Sequence, residues 1–144
     1  MTDREHVVCP HCNATNRVPV ARLAEQPRCG QCKKPLFTRS PLELTAPAFD
    51  RHLASNGIPL LVDFWAPWCG PCQAMTPAYK EAAAVLEPRV RVAKLDTEGQ
   101  PAVAQRLNIR SLPTLVLFRD QKEIARKSGL MGTREIVNWV QSVV

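Results

Sequence analysis

The stretch Ile58-Pro59-Leu60-Leu61-Val62-Asp63-Phe64-Trp65-Ala66-Pro67-Trp68-Cys69-Gly70-Pro71-Cys72 decides how the chain is read. From Ile58 to Trp65 it is apolar apart from one charge, Asp63. A strand covered on both faces has this composition, because neither face meets water. A helix is expected from about Cys69 to Leu86, kinked at Pro77, whose ring removes an N–H from the helical ladder. The two cysteines therefore sit where a buried strand turns into a helix. There the unpaired N–H groups and the positive end of the helix dipole favour a thiolate. Cys69, at the end of the turn, is best placed to feel that field and to reach solvent, so it is the expected nucleophile. Cys72 lies on the same helical face. It can attack a mixed disulfide formed by Cys69, release the reduced substrate and close a Cys69–Cys72 disulfide. Pro71 suits the first helical turn, where its missing N–H costs little. Cysteines that merely fill a core need no such setting, and two thiolates are only half of a closed metal shell.

Asp63 interrupts the apolar run. Burial of an unpaired carboxylate raises its pKa. A group titrating near neutral pH beside the second cysteine could take that thiol's proton during resolution. The alternative is a hydrogen-bonded structural carboxylate.

Outward from this core, strands and helices alternate. Leu42-Glu43-Leu44 reads as a short strand, followed by a helix that Thr45 caps and Gly57 stops. Val90 to Asp96 is a strand, 102–107 a short helix, Thr114 to Phe118 a buried strand, and Lys122 to Lys127 its antiparallel neighbour. Thr133 is expected to cap a last helix with Ile136, Val137, Val140 and Val144 at helical spacing. The order βαβαβαββα defines an α/β class with a mixed sheet. Asp120-Gln121 is an unfavourable pair for a two-residue turn needing positive φ, so a longer or irregular loop is expected there.

Before residue 41 the composition changes. Residues 1–40 hold four cysteines and few large apolar side chains, too few to fold without a metal or disulfides. Cys9-Pro10-His11-Cys12 and Cys29-Gly30-Gln31-Cys32 are sixteen residues apart, the spacing of a zinc ribbon. Pro10 and Gly30 are read as easing two tight knuckles. Four sulfurs form a closed tetrahedral shell, so one structural zinc is expected, held by Cys9, Cys12, Cys29 and Cys32. Iron also suits an all-sulfur site, and disulfides are the alternative. His11 is read as a solvated turn residue, and His6 and His52 as surface residues. The organisation is thus 1–40, a ribbon-like segment, and 41–144, an α/β domain.

The charge is +6 over 144 residues, 45% of them apolar. Zinc held by four thiolates would lower that charge by two. Such a spread favours solubility rather than a nucleic-acid partner. No run has the roughly 18 apolar residues of a membrane span, and the charged start has no apolar core of a signal peptide. The expected location is therefore the cytoplasm, where thiols stay reduced, which makes the six cysteines metal ligands or catalysts rather than staples; a monomer is expected.

The block Asp63 to Cys72, followed by Ile109-Arg110-Ser111-Leu112-Pro113-Thr114, resembles the thioredoxin family. With the four-cysteine segment in front, the whole chain resembles the zinc-containing bacterial branch, thioredoxin 2. The resemblance implies a thioredoxin fold, reduction of disulfides in client proteins, and recharging by an NADPH-dependent thioredoxin reductase, with no bound organic cofactor. It implies that Asp63 is the buried acid/base, with Lys94 as its neighbour. It implies that Trp68 shields and contacts substrate, alongside Gly70 and Pro71. Pro113 would be cis and face the redox pair, the Leu112 backbone would pair with an extended substrate, and Gly129 would let the partner approach.

Two other classes compete. One is a binding module in which the ribbon engages nucleic acid or protein, although its only aromatic, Phe37, provides no stacking platform. The other is a chaperone switched on by zinc release. A further expectation joins the two halves: oxidation of the ribbon thiolates would release zinc and alter substrate access or redox poise.

Overall fold

The computed structural model describes residues 3–144. Five strands form the main sheet: β3 (Leu42–Glu43), β4 (Leu60–Trp65), β5 (Arg91–Asp96), β6 (Thr114–Arg119) and β7 (Lys122–Ser128), in the spatial order β3-β5-β4-β6-β7. β4 is central, parallel to β5 and antiparallel to β6. Four helices, α1 (Ala46–Ser55), α2 (Gly70–Leu86), α3 (Pro101–Arg106) and α4 (Thr133–Val143), cover the two faces. The mixed sheet and the order βαβαβαββα follow the sequence reading. α2 runs unbroken through Pro77.

Alternation along β4 sorts its side chains between two cores. Leu61 packs with Val92, Leu115 and Leu117 against Met75 and Tyr79 of α2 and Ile136 and Val140 of α4. Leu60, Val62 and Phe64 face the other way, toward Phe49 of α1 and Val103 of α3. Phe49 meets Phe64 and Phe118 edge-on, with ring centroids 6.5 and 5.5 Å apart. The same alternation puts Asp63 on the face that carries α2, the helix that begins at the redox pair.

The N-terminal segment is a hairpin, β1 (Arg4–Val8) and β2 (Thr15–Pro19), with a small core of Val7, Val18, Leu23 and Leu36 around the cysteines. It is anchored to the main sheet by a buried polar network. Arg91 is 1% exposed, and its Nη2 donates to the carbonyls of Val8 (3.0 Å) and Leu36 (2.8 Å). Its Nη1 donates to Glu87 at 3.3 Å, and its guanidinium lies 4.7 Å from the Phe37 ring centre. Glu87 in turn accepts the backbone N–H of Arg39 at 3.0 Å and of Val92 at 3.1 Å.

This docking overturns two expectations. His52 is 1% exposed rather than a surface residue. Its Nδ1 lies 2.8 Å from Asn56 Nδ2, and Asn56 Oδ1 accepts the Val8 N–H at 2.9 Å, so β1 covers this part of α1. Gly57 is not the helix stop either. α1 ends at Ser55 with Asn56 in extended backbone. A Cβ on Gly57 would stand 3.2 Å from the His6 nitrogen, and the Gly57 N–H donates to the His6 carbonyl, so the glycine permits close approach of β1. His6 is exposed, as expected.

Two further expectations change locally. Gly132 precedes α4, and Thr133 is its first residue. The Thr133 hydroxyl donates to Glu81 Oε2 at 3.0 Å instead, tying α4 to α2. The β6–β7 turn is tight: Asp120 and Gln121 take φ of 52° and 68°, between the paired residues Arg119 and Lys122. The irregularity lies further in, where the register shifts between Leu117 and Phe118.

Candidate functional site

Cys69 and Cys72 are joined as a disulfide with Cα atoms 5.3 Å apart. Cys69 is the N-cap of α2, and its Sγ accepts the Cys72 N–H at 3.2 Å. That contact places one sulfur on a helix donor which would otherwise lack a partner. Exposure does not separate the two: Cys69 is 4% and Cys72 3% exposed, so the expected solvent access of Cys69 is absent in the closed disulfide. Leu112 and Ala66 pack against the pair, and the Leu112–Pro113 bond is cis. The Pro113 carbonyl accepts the Gly129 N–H at 2.9 Å. Gly129 has φ +102°, a conformation that favours glycine, and a Cβ there would meet nothing within 4 Å. Gly70 and Pro71 are exposed at the start of α2. Trp68 is 69% exposed and donates through its indole to Glu98.

Beneath this surface lies Asp63, 4% exposed, with Oδ1 lacking a hydrogen-bond partner. Burial pushes its pKa up to about 7, against the pull of Lys94 and with a smaller push from Glu43. Lys94 is its register partner on β5, and Lys94 Nζ rests 4.6 Å from the Trp65 ring centre. The Trp65 indole donates to Glu43 Oε2 at 3.2 Å. Tyr79, from α2, buries its hydroxyl on the Leu61 and Ala93 carbonyls. Sequence reading missed Glu43, Tyr79 and Glu98 as parts of this site. No local motif marks them, because strand register and helix packing bring them together.

The other four cysteines also converge. The sulfurs of Cys9, Cys12, Cys29 and Cys32 lie within 4.8 Å of one another, with Cys9–Cys32 and Cys12–Cys29 both at 3.6 Å. Four sulfurs at ~2.3 Å from one tetrahedral ion would be ~3.8 Å apart, so the donor set fits zinc. The two knuckles repeat one geometry. Cys9 Sγ accepts the His11 N–H and Cys29 Sγ the Gln31 N–H, each at 3.3 Å. The residues after each pair, Asn13 and Lys33, take φ of 64° and 68°. The left-handed position is thus there and not at Gly30, whose N–H instead donates to Asn16 Oδ1 at 2.8 Å. His11 is exposed.

The cluster and the disulfide occupy opposite ends of the strands. Val8, adjacent to Cys9, is bound by Arg91 at the start of β5, whereas the redox pair follows the far end of β4.

Comparison with known proteins agrees with this geometry. Residues 40–142 match the family model described as Thioredoxin, and residues 8–34 the model described as Thioredoxin 2, N-terminal. The chain is 42% identical to Thioredoxin C-3 of Corynebacterium nephridii, over 93% of this chain and 92% of that protein. Among solved structures, a mutant thioredoxin from Halobacterium salinarum NRC-1 superposes with TM-score 0.66 at 30% identity, covering 74% of this chain and 93% of its own. Chloroplastic thioredoxin z gives TM-score 0.64 at 28% identity, covering 70% and 91%.

Proposed function

Since the chain belongs to the thioredoxin family and is a thiol–disulfide oxidoreductase acting as a protein-disulfide reductase, we propose that Cys69 attacks client disulfides and Cys72 resolves the intermediate. The observation that carries this assignment is the Cys72 N–H donating to Cys69 Sγ at 3.2 Å from the first turn of α2. A charge-assisted bond of this kind stabilises a thiolate on Cys69 and not on its partner.

The reaction then runs in two exchanges. The Cys69 thiolate forms a bond to one client sulfur, and the other client sulfur leaves as a thiolate. Cys72 gives its proton to the Asp63 carboxylate and attacks Cys69 Sγ. The second client thiolate leaves, and the Cys69–Cys72 disulfide closes. Two electrons pass to the client in all. Asp63 suits proton transfer because it titrates near neutrality. Lys94 tempers that pKa. Trp68, Gly70, Pro71, Leu112, Pro113 and Gly129 form the surface that receives the client, with the Leu112 backbone pairing to an extended segment.

An NADPH-dependent thioredoxin reductase restores the dithiol. One structural zinc per chain, held by Cys9, Cys12, Cys29 and Cys32, closes the ribbon; with four protein ligands it has no open position for chemistry. Residues 1–40 and 41–144 are the two units, and the protein works as a monomer in the cytoplasm. No helix among the described residues is long and apolar enough to cross a membrane. The test is reduction of a protein disulfide with reductase and NADPH, with zinc quantified alongside. Cys69→Ser abolishes turnover on this reading, and undiminished turnover would contradict it.

A further inference from the structure

One row of charge crosses three strands above the sheet face that carries Asp63. Glu43 on β3 is the register partner of Lys94 on β5, and Lys94 is the register partner of Asp63 on β4. Register partners on parallel strands point to the same face. Lys94 thus stands on the strand between two acidic residues whose backbones are about 10 Å apart, two strand spacings. Trp65, two residues beyond Asp63, joins the row from the side. Its indole N–H donates to Glu43 Oε2 at 3.2 Å, and its ring carries Lys94 Nζ at 4.6 Å from the centroid. A cation over an indole face is held by the ring quadrupole, and that indole is held by Glu43.

We propose that Glu43 is a positioning residue for proton transfer at Asp63: it anchors the Trp65 indole that seats Lys94, and its own charge claims part of that cation. The inference rests on Asp63 as the proton acceptor. The groups facing Asp63 are few. β5 carries Lys94 in register with it and Asp96 two residues on along the same face, β3 carries Glu43, and Tyr79 of α2 interacts with it electrostatically. Leu115, its partner on β6, is apolar. Lys94 is the cation of this row, with Glu43 as its register partner on β3 and Asp63 as its register partner on β4. The electrostatics run the same way, since Lys94 lowers and Glu43 raises the affinity of Asp63 for a proton.

Glu43 does two things that substitution separates. Glu43→Gln keeps an acceptor for the indole and removes the charge. Glu43→Ala removes both. The side chain is exposed near the sheet edge, so neither change disturbs a core. The experiment follows the Asp63 carboxyl by carbon-13 NMR titration in the full-length reduced protein, together with the pH profile of mixed-disulfide resolution. In Glu43→Gln both midpoints fall by about half a pH unit, the size expected for one partly screened charge at this separation. In Glu43→Ala the Asp63 midpoint rises back from the Glu43→Gln value, because Lys94 leaves its seat. In a Lys94→Met background the effect of Glu43→Gln shrinks.

An unchanged Asp63 midpoint in Glu43→Gln overturns the proposal. Equal midpoints in Glu43→Gln and Glu43→Ala overturn the anchoring role. Asp63→Asn tests the underlying reading separately: if its resolution profile matches wild type, Asp63 is not the acceptor, whereas the NMR midpoint still reports on Glu43.

Discussion

Arg91 donates from Nη2 to the carbonyl oxygen of Val8 at 3.0 Å, linking the first residue of β5 to the residue before Cys9 of the four-cysteine cluster. The ribbon is therefore built onto the sheet rather than carried beside it. The guanidinium also bonds Leu36 and Glu87, and all of these groups are buried. Arg91→Met strips Glu87 of its counter-charge and leaves two ribbon carbonyls unpaired. A loss of roughly 3–5 kcal/mol is expected, the usual cost of breaking a buried pair from one side. Urea unfolding at neutral pH measures it. Adding Glu87→Gln to Arg91→Met recovers part of the loss, because the remaining buried charge is gone.

Removing the metal should act on the ribbon and spare the chemistry. The strands between the cluster and the redox pair span about 16 Å, and the thiolate-stabilising contacts all lie at the far end. Chelation under reducing conditions is expected to release one zinc per chain and to expose the amides of Val7, Val8 and Cys9 to hydrogen exchange. Turnover on a protein disulfide stays within about threefold, under 1 kcal/mol in barrier. A hundredfold loss of turnover on chelation would show that the two sites are coupled.

Asp63 should make stability fall as pH rises. The folded protein holds the Asp63 proton up to about pH 7, whereas an unfolded aspartate releases it near 3.8. Between those values the native state binds more protons, so unfolding free energy declines with pH across that window. Above it the whole penalty is felt. Asp63→Asn is therefore expected to stabilise the fold by on the order of 2–4 kcal/mol at pH 8 and by much less at pH 4. Denaturant melts at the two pH values decide this, and equal gains at both would refute it.

His52 has the opposite sign. Burial, reinforced by Arg91, lowers its pKa from 6.5 to about 3. The unfolded chain takes up a proton below pH 6.5 that the folded one refuses, so stability drops as pH falls from 6.5 toward 3. The loosening should begin where His52 and Asn56 receive Val8. His52→Gln, which cannot titrate, flattens this acid limb, as read by melting temperature against pH. An unaltered limb would assign acid sensitivity to other groups.

The redox half of the molecule was legible because its signals are local. An apolar run ending in Cys-x-x-Cys needs only strand and helix physics to place the sulfurs at a helix start, and two Cys-x-x-Cys pairs define a cluster without knowledge of the rest. What was hidden depends on contacts between distant segments. His52 has the sequence context of a solvated helix residue until β1 lies across it. Gly57 has the look of a helix stop until His6 approaches its backbone. Arg91 opens a strand like any edge cation, and only the ribbon buries it. Glu43 is two strands away from Asp63, a relation fixed by register and not by spacing in the chain. Asp120 and Gln121 adopt a tight turn against their weak preference, with Gln121 donating to the Ala54 carbonyl of α1 at 3.2 Å.

The division of labour between the two sulfurs is tested most directly by trapping. Cys72→Ser, mixed with a disulfide-bonded client, should accumulate a covalent complex through Cys69, identified by mass spectrometry of the linked peptides and released by dithiothreitol. Cys69→Ser should form none at comparable time and concentration. A complex linked through Cys72 in the Cys69→Ser protein, formed as fast as the one in Cys72→Ser, would contradict the assignment of Cys69 as nucleophile.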